Sequence, residues 1–337
     1  MSSQFVQVTP ETGLFRINAL PARPSTRLLR VSVTDRCNFR CRYCMPAEGV
    51  PTIHHSELLS LEKLAETVRW LCRQMPIERV KLTGGEPLVR PGLEKLVASL
   101  VAIPEIREVS MTTNGSLLEK KAWELKASGL ARVSVSLDSL DSRRFSTLSR
   151  GGKLDDTLAG IDAALKAGLT PLKLNAVLQR SSWVHDIPQL LDFAADRGLE
   201  IRFIELMRTG TEREWSEAEF VSVDEVRRWV RERGNLSLVA TPAGVPAQMS
   251  LLRWRGRLVS VGWIAPRTHP FCGSCQRVRL DCRGTLRRCL MDSALLDLVS
   301  LRQQGDRCAE DTVSRYIAAK FAPKGMDCEY MMAQIGG

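Results

Sequence analysis

The sequence predicts an α/β protein: a partial (β/α)6 TIM-type barrel followed by a smaller C-terminal α+β domain. Three observations carry this expectation. Strand-like runs alternate with amphipathic helical segments over the first two thirds of the chain. Several of those helices stop at a glycine (Gly129, Gly168, Gly198), as helix C-termini often do. Near residue 236 the pattern changes to short strands separated by turn signals. Alternation of this kind implies right-handed βαβ units and a parallel sheet. Six units make most of a barrel but do not close an eight-stranded one.

The expected strands are Leu28–Thr34, Glu78–Thr83, Glu108–Thr113, Arg132–Asp138, Leu172–Leu178 and Ile201–Leu206. Between them lie helical stretches at about Ser60–Gln74, Gly92–Val101, Leu118–Ser128, Leu154–Ala167 and Ile187–Arg197. A helix near Val223–Glu232 then leads to short strands at Leu236–Ala240, Gln248–Trp254, Leu258–Trp263 and Arg277–Asp281. Two apolar-periodic helices close the chain, near Ser293–Arg302 and Asp311–Ala319. The expected division is an N-terminal extension over 1–27, the partial barrel over 28–235 and the C-terminal domain over 236–337.

At 337 residues the chain can bury a large core. Met1 to Thr12 is polar with no apolar core of a secretory signal, and no run approaches the ~18 apolar residues of a membrane span. The expectation is a cytoplasmic, soluble protein with no membrane partner. Ten cysteines in that compartment argue for metal or redox chemistry rather than disulfides. The net charge of +10 favours an anionic partner. A nucleic-acid surface should show a basic stripe with interleaved aromatics, whereas aromatics are 6% here and the basic clusters (Arg227-Arg228, Arg287-Arg288) are short. Nucleic acid is therefore not expected.

Cys37, Cys41 and Cys44 fall within eight residues, directly after the first strand. Three thiolates on one tight loop suit a cubane iron–sulfur cluster, each holding one corner and leaving the fourth iron open. Zinc loops instead pair cysteines two to four apart and need a fourth ligand nearby. A disulfide is poorer still, because the number is odd. This Cys-x3-Cys-x2-Cys loop resembles the signature of the radical S-adenosylmethionine (SAM) enzymes. The resemblance implies that SAM chelates the open iron and that an electron from a low-potential donor releases a 5'-deoxyadenosyl radical. It also places Tyr43 near the adenine.

The chemistry-bearing residues follow strands at their C-terminal ends, which is where parallel α/β folds build sites. Thr83-Gly84-Gly85-Glu86-Pro87 follows the second strand, where glycines let backbone approach a ligand closely. This stretch resembles the element that holds the methionine amino group in radical SAM enzymes, and it makes Gly85 a cofactor contact. The same resemblance maps Ser136 and Met207 onto SAM. The plainer alternatives are a strand-end hydrogen bond for Ser136 and core filling for Met207.

Cys272, Cys275 and Cys289 form a second set with Cys-x2-Cys-x13-Cys spacing. Spacing alone reads as a zinc ribbon with Cys282 or His269 as fourth ligand. Arg277 and Arg279 share one face of the following strand, however, and paired guanidiniums beside a metal fit an anionic ligand. The full pattern closely resembles the GTP 3',8-cyclases of molybdenum-cofactor biosynthesis. That resemblance implies a second [4Fe-4S] cluster on Cys272, Cys275 and Cys289, with an open iron toward the guanine, and leaves Cys282 without a matching ligand. It implies GTP contacts by Arg30, Lys81, Thr112, Lys173, Arg277, Val278 and Arg279, with Arg202 a further candidate. Cations gathered from separate strands onto one cavity would neutralise a triphosphate. The last residues, through Gly336 and Gly337, resemble the family's di-glycine tail, so Arg277, Arg279, Gly336 and Gly337 are the expected catalytic set. The implied reaction converts GTP to (8S)-3',8-cyclo-7,8-dihydroguanosine 5'-triphosphate, after hydrogen is taken from ribose C3'. The family further suggests a downstream pyranopterin monophosphate synthase and a homodimer.

Overall fold

In the computed structural model, residues 27–208, 212–241, 244–291, 294–303 and 306–318 are described below. The expected N-terminal extension and the di-glycine end, Gly336 and Gly337, lie outside the described residues.

The first half alternates as its periodicity requires. It runs β1 (Arg27–Ser32), α1 (Leu61–Gln74), β2 (Ile77–Thr83), α2 (Leu93–Val101), β3 (Glu108–Thr113), α3 (Ala122–Ala127), β4 (Arg132–Ser136), α4 (Ser142–Ser149), α5 (Leu154–Lys166), β5 (Lys173–Val177), α6 (Trp183–Arg197) and β6 (Glu200–Ile204). Helix α4 was not expected. Its apolar positions are few, and it starts on the Asp141 cap, whose side chain accepts from Arg144 N. Helix α3 is shorter than its periodicity suggests, because residues Leu118–Lys121 form turns ahead of it. Gly129, Gly168 and Gly198 all take positive φ at or just beyond their helix ends.

The second half comprises α7 (Arg213–Ala218), α8 (Val223–Arg231), β7 (Asn235–Leu238), β8 (Gln248–Trp254), β9 (Arg257–Ile264), β10 (Arg277–Leu280), β11 (Thr285–Arg287), β12 (Leu296–Asp297), α9 (Leu298–Arg302) and α10 (Asp306–Ala318). Its strands do not form a sheet of their own. A single 12-stranded sheet runs in the order β12-β11-β10-β1-β2-β3-β4-β5-β6-β9-β8-β7. The C-terminal strands therefore extend both edges of the six-stranded parallel sheet. β10 pairs parallel to β1 and β9 parallel to β6, while β11, β12, β8 and β7 continue outward antiparallel. β9 and β10 are consecutive in the chain yet sit at opposite edges, so residues 265–276 cross the seam between them.

Each central strand has two unlike faces. Leu29, Val31, Val80, Leu82, Val109, Met111, Val133, Val135, Leu174, Ile201 and Phe203 are buried beneath the helices in one continuous core. Side chains alternate across a strand, so Arg30, Lys81, Ser110, Arg132, Ser134, Lys173 and Arg202 all take the other face. The apolar face anchors the sheet, and the polar face lines a lumen.

The turn after β3 is held by close packing against α5. Gly115 has φ +82°, and a Cβ on Gly160 would meet the Gly115 carbonyl oxygen at 2.1 Å. Gly160→Ala should therefore destabilise the protein by about 3 kcal/mol, since backbone cannot yield as a side chain would. Denaturant unfolding checks this, and an unchanged midpoint would refute the contact.

Candidate functional site

The Cys37–Cys44 loop leaves the C-terminal end of β1 and rests on the turn after β2. Gly85 N donates to Thr34 O at 2.8 Å, and Glu86 N to Arg36 O at 2.8 Å. A Cβ on Gly84 would meet Thr34 O at 2.7 Å, and one on Gly85 would meet Arg36 O at 2.3 Å. The glycine pair thus serves first to let this turn touch the cysteine loop's own backbone. Neither glycine takes a positive φ. The close backbone approach that the sequence predicts for this pair is thus first an approach to the protein's own backbone.

Glu86 fastens the same turn to β3. Its buried carboxylate accepts from Thr113 Oγ1 at 2.7 Å, Leu88 N at 3.1 Å and Asn114 N at 2.7 Å. Burial pushes its carboxyl up to about 7 against those donors. Tyr43 donates its hydroxyl to Asp138 Oδ2 at 2.8 Å, and Asp138 in turn accepts from Val177 N at 2.7 Å. Four successive strands are thereby linked to the loop.

Cys41 lies within electrostatic reach of both Cys37 and Cys44. Burial raises the Cys41 pKa well above the ordinary thiol value, and Cys44, Asp138 and Cys37 raise it further. Burial likewise pushes Cys37 up to about 11. Thiols held neutral in this way give up their protons only to a strongly bound metal such as iron. Among the described residues no three His, Cys, Asp or Glu side chains crowd to the spacing of a single metal ion. An all-sulfur donor set on one loop is the kind that holds the corners of a cubane. Ser136 ends β4 beside Asn175, and the half-buried Met207 lies beyond β6, both at this end of the barrel.

The second cysteine set lies at the other end. β10 runs parallel to β1, so Cys275, just before β10, is at the N-terminal end of the lumen. β11 returns antiparallel, pairing Arg287 with Arg279, which carries Cys289 back to the level of Arg277. Cys272 and Cys275 are joined by a 3-10 turn in which Cys275 N donates to Cys272 O at 3.2 Å. Cys282 sits on the hairpin turn at the opposite end, where Leu59 N donates to its carbonyl at 2.9 Å. Burial pushes its thiol up to about 12, with Asp281 and Asp35 adding to the shift. His269 is turned to Asp224, 2.6 Å away. Cys282 is thereby at the far end of the strand from the second set, while His269 keeps its Nε2 on Asp224.

Between the two cysteine sets the lumen is strongly basic. Register places Arg30 beside both Arg279 and Lys81, and Lys81 beside Ser110. Lys81 Nζ donates to Ser134 Oγ at 3.2 Å. Burial lowers the Lys81 pKa well below its ordinary value, and repulsion from Arg30, Arg132, Arg202 and Lys173 adds to that. Arg30 is lowered by burial and then by Arg279 and Arg277. Arg277 lies 5.0 Å over the Phe271 ring and donates Nε to Cys275 Sγ at 3.5 Å. Thr112 lines the same face opposite Ser134. Val278 points the other way and its side chain is wholly buried in the core, so only its backbone faces the lumen's neighbours.

Three lumen residues had no role in the sequence reading: Arg132, Glu108 and Glu200. Glu108 pairs with Arg132 at 2.6 Å, and Glu200 with Arg202 at 2.5 Å and Lys173 at 3.0 Å. The period-two rule applied to the start of each strand would have found them.

Comparison with known proteins agrees with this geometry. Residues 31–194 match the Radical SAM superfamily, and residues 199–327 match the Molybdenum Cofactor Synthesis C family. The GTP 3',8-cyclase of Pelotomaculum thermopropionicum is 40% identical over 92% of this chain and 97% of its own length. GTP 3',8-cyclase 1 of Pseudomonas aeruginosa is 44% identical over 81% of this chain and 82% of its own. The crystal structure of Streptococcus suis SuiB, at 13% identity and TM-score 0.62, covers 89% of this chain and 68% of its own, which establishes the fold alone. With two cysteine loops at the ends of a basic barrel and that identity along most of its length, the chain belongs to the GTP 3',8-cyclase family of radical SAM proteins.

Proposed function

We propose that this chain is a GTP 3',8-cyclase, a radical SAM lyase that acts at the first step of molybdenum-cofactor biosynthesis. The observation that carries the reading is the basic lumen held between two three-cysteine loops. Cys37, Cys41 and Cys44 would hold one [4Fe-4S] cluster and Cys272, Cys275 and Cys289 another. When bound at the first loop, cluster and SAM supply a 5'-deoxyadenosyl radical, the species able to take hydrogen from ribose C3'.

The chain's own residues do the remaining work. Tyr43, Gly85, Ser136 and Met207 would surround SAM at the upper rim. Arg30, Lys81, Lys173 and Arg202 would grip the triphosphate from four strands, with Thr112 beside them. Arg277, the Val278 backbone and Arg279 would present the guanine end, beside the second cysteine set. Fixing the nucleotide at both ends brings C3' and C8 together, which turns ring closure into a positional problem. The enclosing barrel keeps water from the reacting carbons. Gly336 and Gly337 would belong to the catalytic set with Arg277 and Arg279.

A low-potential electron donor, a downstream pyranopterin monophosphate synthase, a homodimer and a cytoplasmic location complete the proposal. Among the described residues no helix is long and apolar enough to cross a membrane.

The direct test is anaerobic turnover of reconstituted protein with dithionite and SAM, with and without GTP, followed by mass spectrometry. GTP-dependent 5'-deoxyadenosine and a product isomeric with GTP are expected. SAM cleavage with unaltered nucleotide would reject GTP as the substrate. Arg277→Ala should leave SAM binding intact and weaken GTP binding at least about tenfold, a loss of about 1.4 kcal/mol. Unchanged GTP affinity would remove Arg277 from the site.

The charge state of Lys81 gives a pH signature. A bound triphosphate should restore the ammonium that burial and neighbouring cations suppress. GTP binding should therefore take up a proton, and affinity should fall as pH rises through the lowered pKa. Calorimetry in buffers of different ionisation heat, above neutral pH where the nucleotide phosphates are fully ionised, should detect this uptake. Lys81→Gln should abolish it.

A further inference from the structure

A cavity of about 580 Å³ lies on the helix-covered side of the sheet, away from the lumen. That volume is within the range of small-molecule pockets. It is bounded by the start of α8, the β7–β8 connection, the start of β8, the end of β9 and the seam. Alternation separates it from the lumen. A Cβ on Gly262 would meet the lumen residue Arg202 at Cγ, 3.0 Å away, so the next residue, Trp263, takes the opposite face. There its ring lies 5.7 Å from that of the core residue Phe203. None of the six cysteines of the two sets lines this cavity, and none of the lumen cations does.

Arg227 on α8 lines it and is only 9% exposed. Its Nη1 donates to Gln248 Oε1 at 2.8 Å, and its guanidinium lies 5.9 Å from the centre of the Trp263 ring. Its Nε is buried without a hydrogen-bond partner. Among the described residues no carboxylate pairs with it. Asp224, one turn earlier, instead sets Oδ2 against His269 Nε2 at 2.6 Å. Burial and then Arg231 lower the Arg227 pKa, while Asp224 works the other way. An enclosed guanidinium bonded only to a neutral amide leaves both charge and a donor uncompensated.

We infer that this cavity binds a small planar organic monoanion, whose carboxylate takes Arg227 and whose apolar body lies against Trp263 and Phe271. Gln248 occupies Nη1 and leaves open the Nε–Nη2 edge, which matches the two oxygens of a carboxylate. One cation with Asp224 close by suits a single negative charge and opposes a second. Val223, Val245, Pro246 and Ala265 add apolar wall, as a flat ring requires. Phe271 also lies under Arg277, 5.0 Å away, and directly precedes Cys272. An occupant would therefore border the second cysteine set without entering the lumen.

The test uses naphthoate as the probe anion and its neutral amide as the control, titrated by ligand-observed NMR into the anaerobically reconstituted full chain. Naphthoate should bind with a Kd below about 1 mM, and the amide at least about tenfold more weakly. Arg227→Met keeps the bulk of the stem and should weaken naphthoate at least about tenfold. Val245→Trp, on the loop side of the cavity, should block it by filling the space, and it tests the site independently of Arg227. Lys81→Gln, in the lumen, should leave naphthoate binding unchanged. Absence of wild-type binding up to about 10 mM would overturn the inference. So would equal binding of acid and amide, undiminished binding by folded Arg227→Met, or a loss confined to Lys81→Gln, which would place the probe in the lumen.

Discussion

Repulsion among like charges on the inner face of one parallel sheet is the constraint around which this protein is arranged. Arg30, Lys81, Arg132, Lys173 and Arg202 come from five strands and share a desolvated lumen, in which the other four make Lys81 harder to charge. The opposite face supplies the cohesion. Leu29, Val31, Val80, Leu82, Val133, Leu174 and Phe203 are wholly or almost wholly buried under the surrounding helices, so the strands are held from outside. Glu108 and Glu200 offset part of the repulsion from within. Such a cavity is poised to gain from an anion, and a sequence can afford it only where an anion is the intended occupant.

Two further carboxylates organise the rims rather than the lumen. Glu86 joins the turn after β2 to the loop after β3, directly beneath the first cysteine set. Glu205, just beyond β6, accepts from Val223 N at 3.0 Å, Arg267 N at 2.9 Å and Thr268 N at 3.0 Å. It thereby anchors both α8 and the start of the seam-crossing segment. Buried carboxylates that accept several backbone N–H groups fix loop geometry with little freedom, which suits loops that must present thiols in register.

The barrel was legible because β-branched and leucine-rich runs alternate with helices at periods of 2 and 3.6, and both cysteine sets were legible from spacing. Two matters were not. The pairing of β10 with β1 and of β9 with β6 is long-range, and the short C-terminal runs carried no sign of where they would dock. The acidic partners in the lumen were hidden because Glu108 and Glu200 begin their strands, where charged residues ordinarily meet solvent. A residue named from the sequence could also face away from the lumen. Val278 lies between two lumen arginines, and its side chain belongs to the core by alternation alone.

The seam between β9 and β10 has a mechanical consequence. Residues 265–276 are the covalent tie between the two edges of the parallel sheet, and they carry Cys272 and Cys275, while Cys289 rides on the β10–β11 hairpin. Drawing these thiols onto one inorganic core would cinch the segment to the hairpin like a buckle on a belt. The girth of the barrel would then be set by its second metal centre, and oxidative loss of that centre would let the cavity widen while every strand kept its own neighbours.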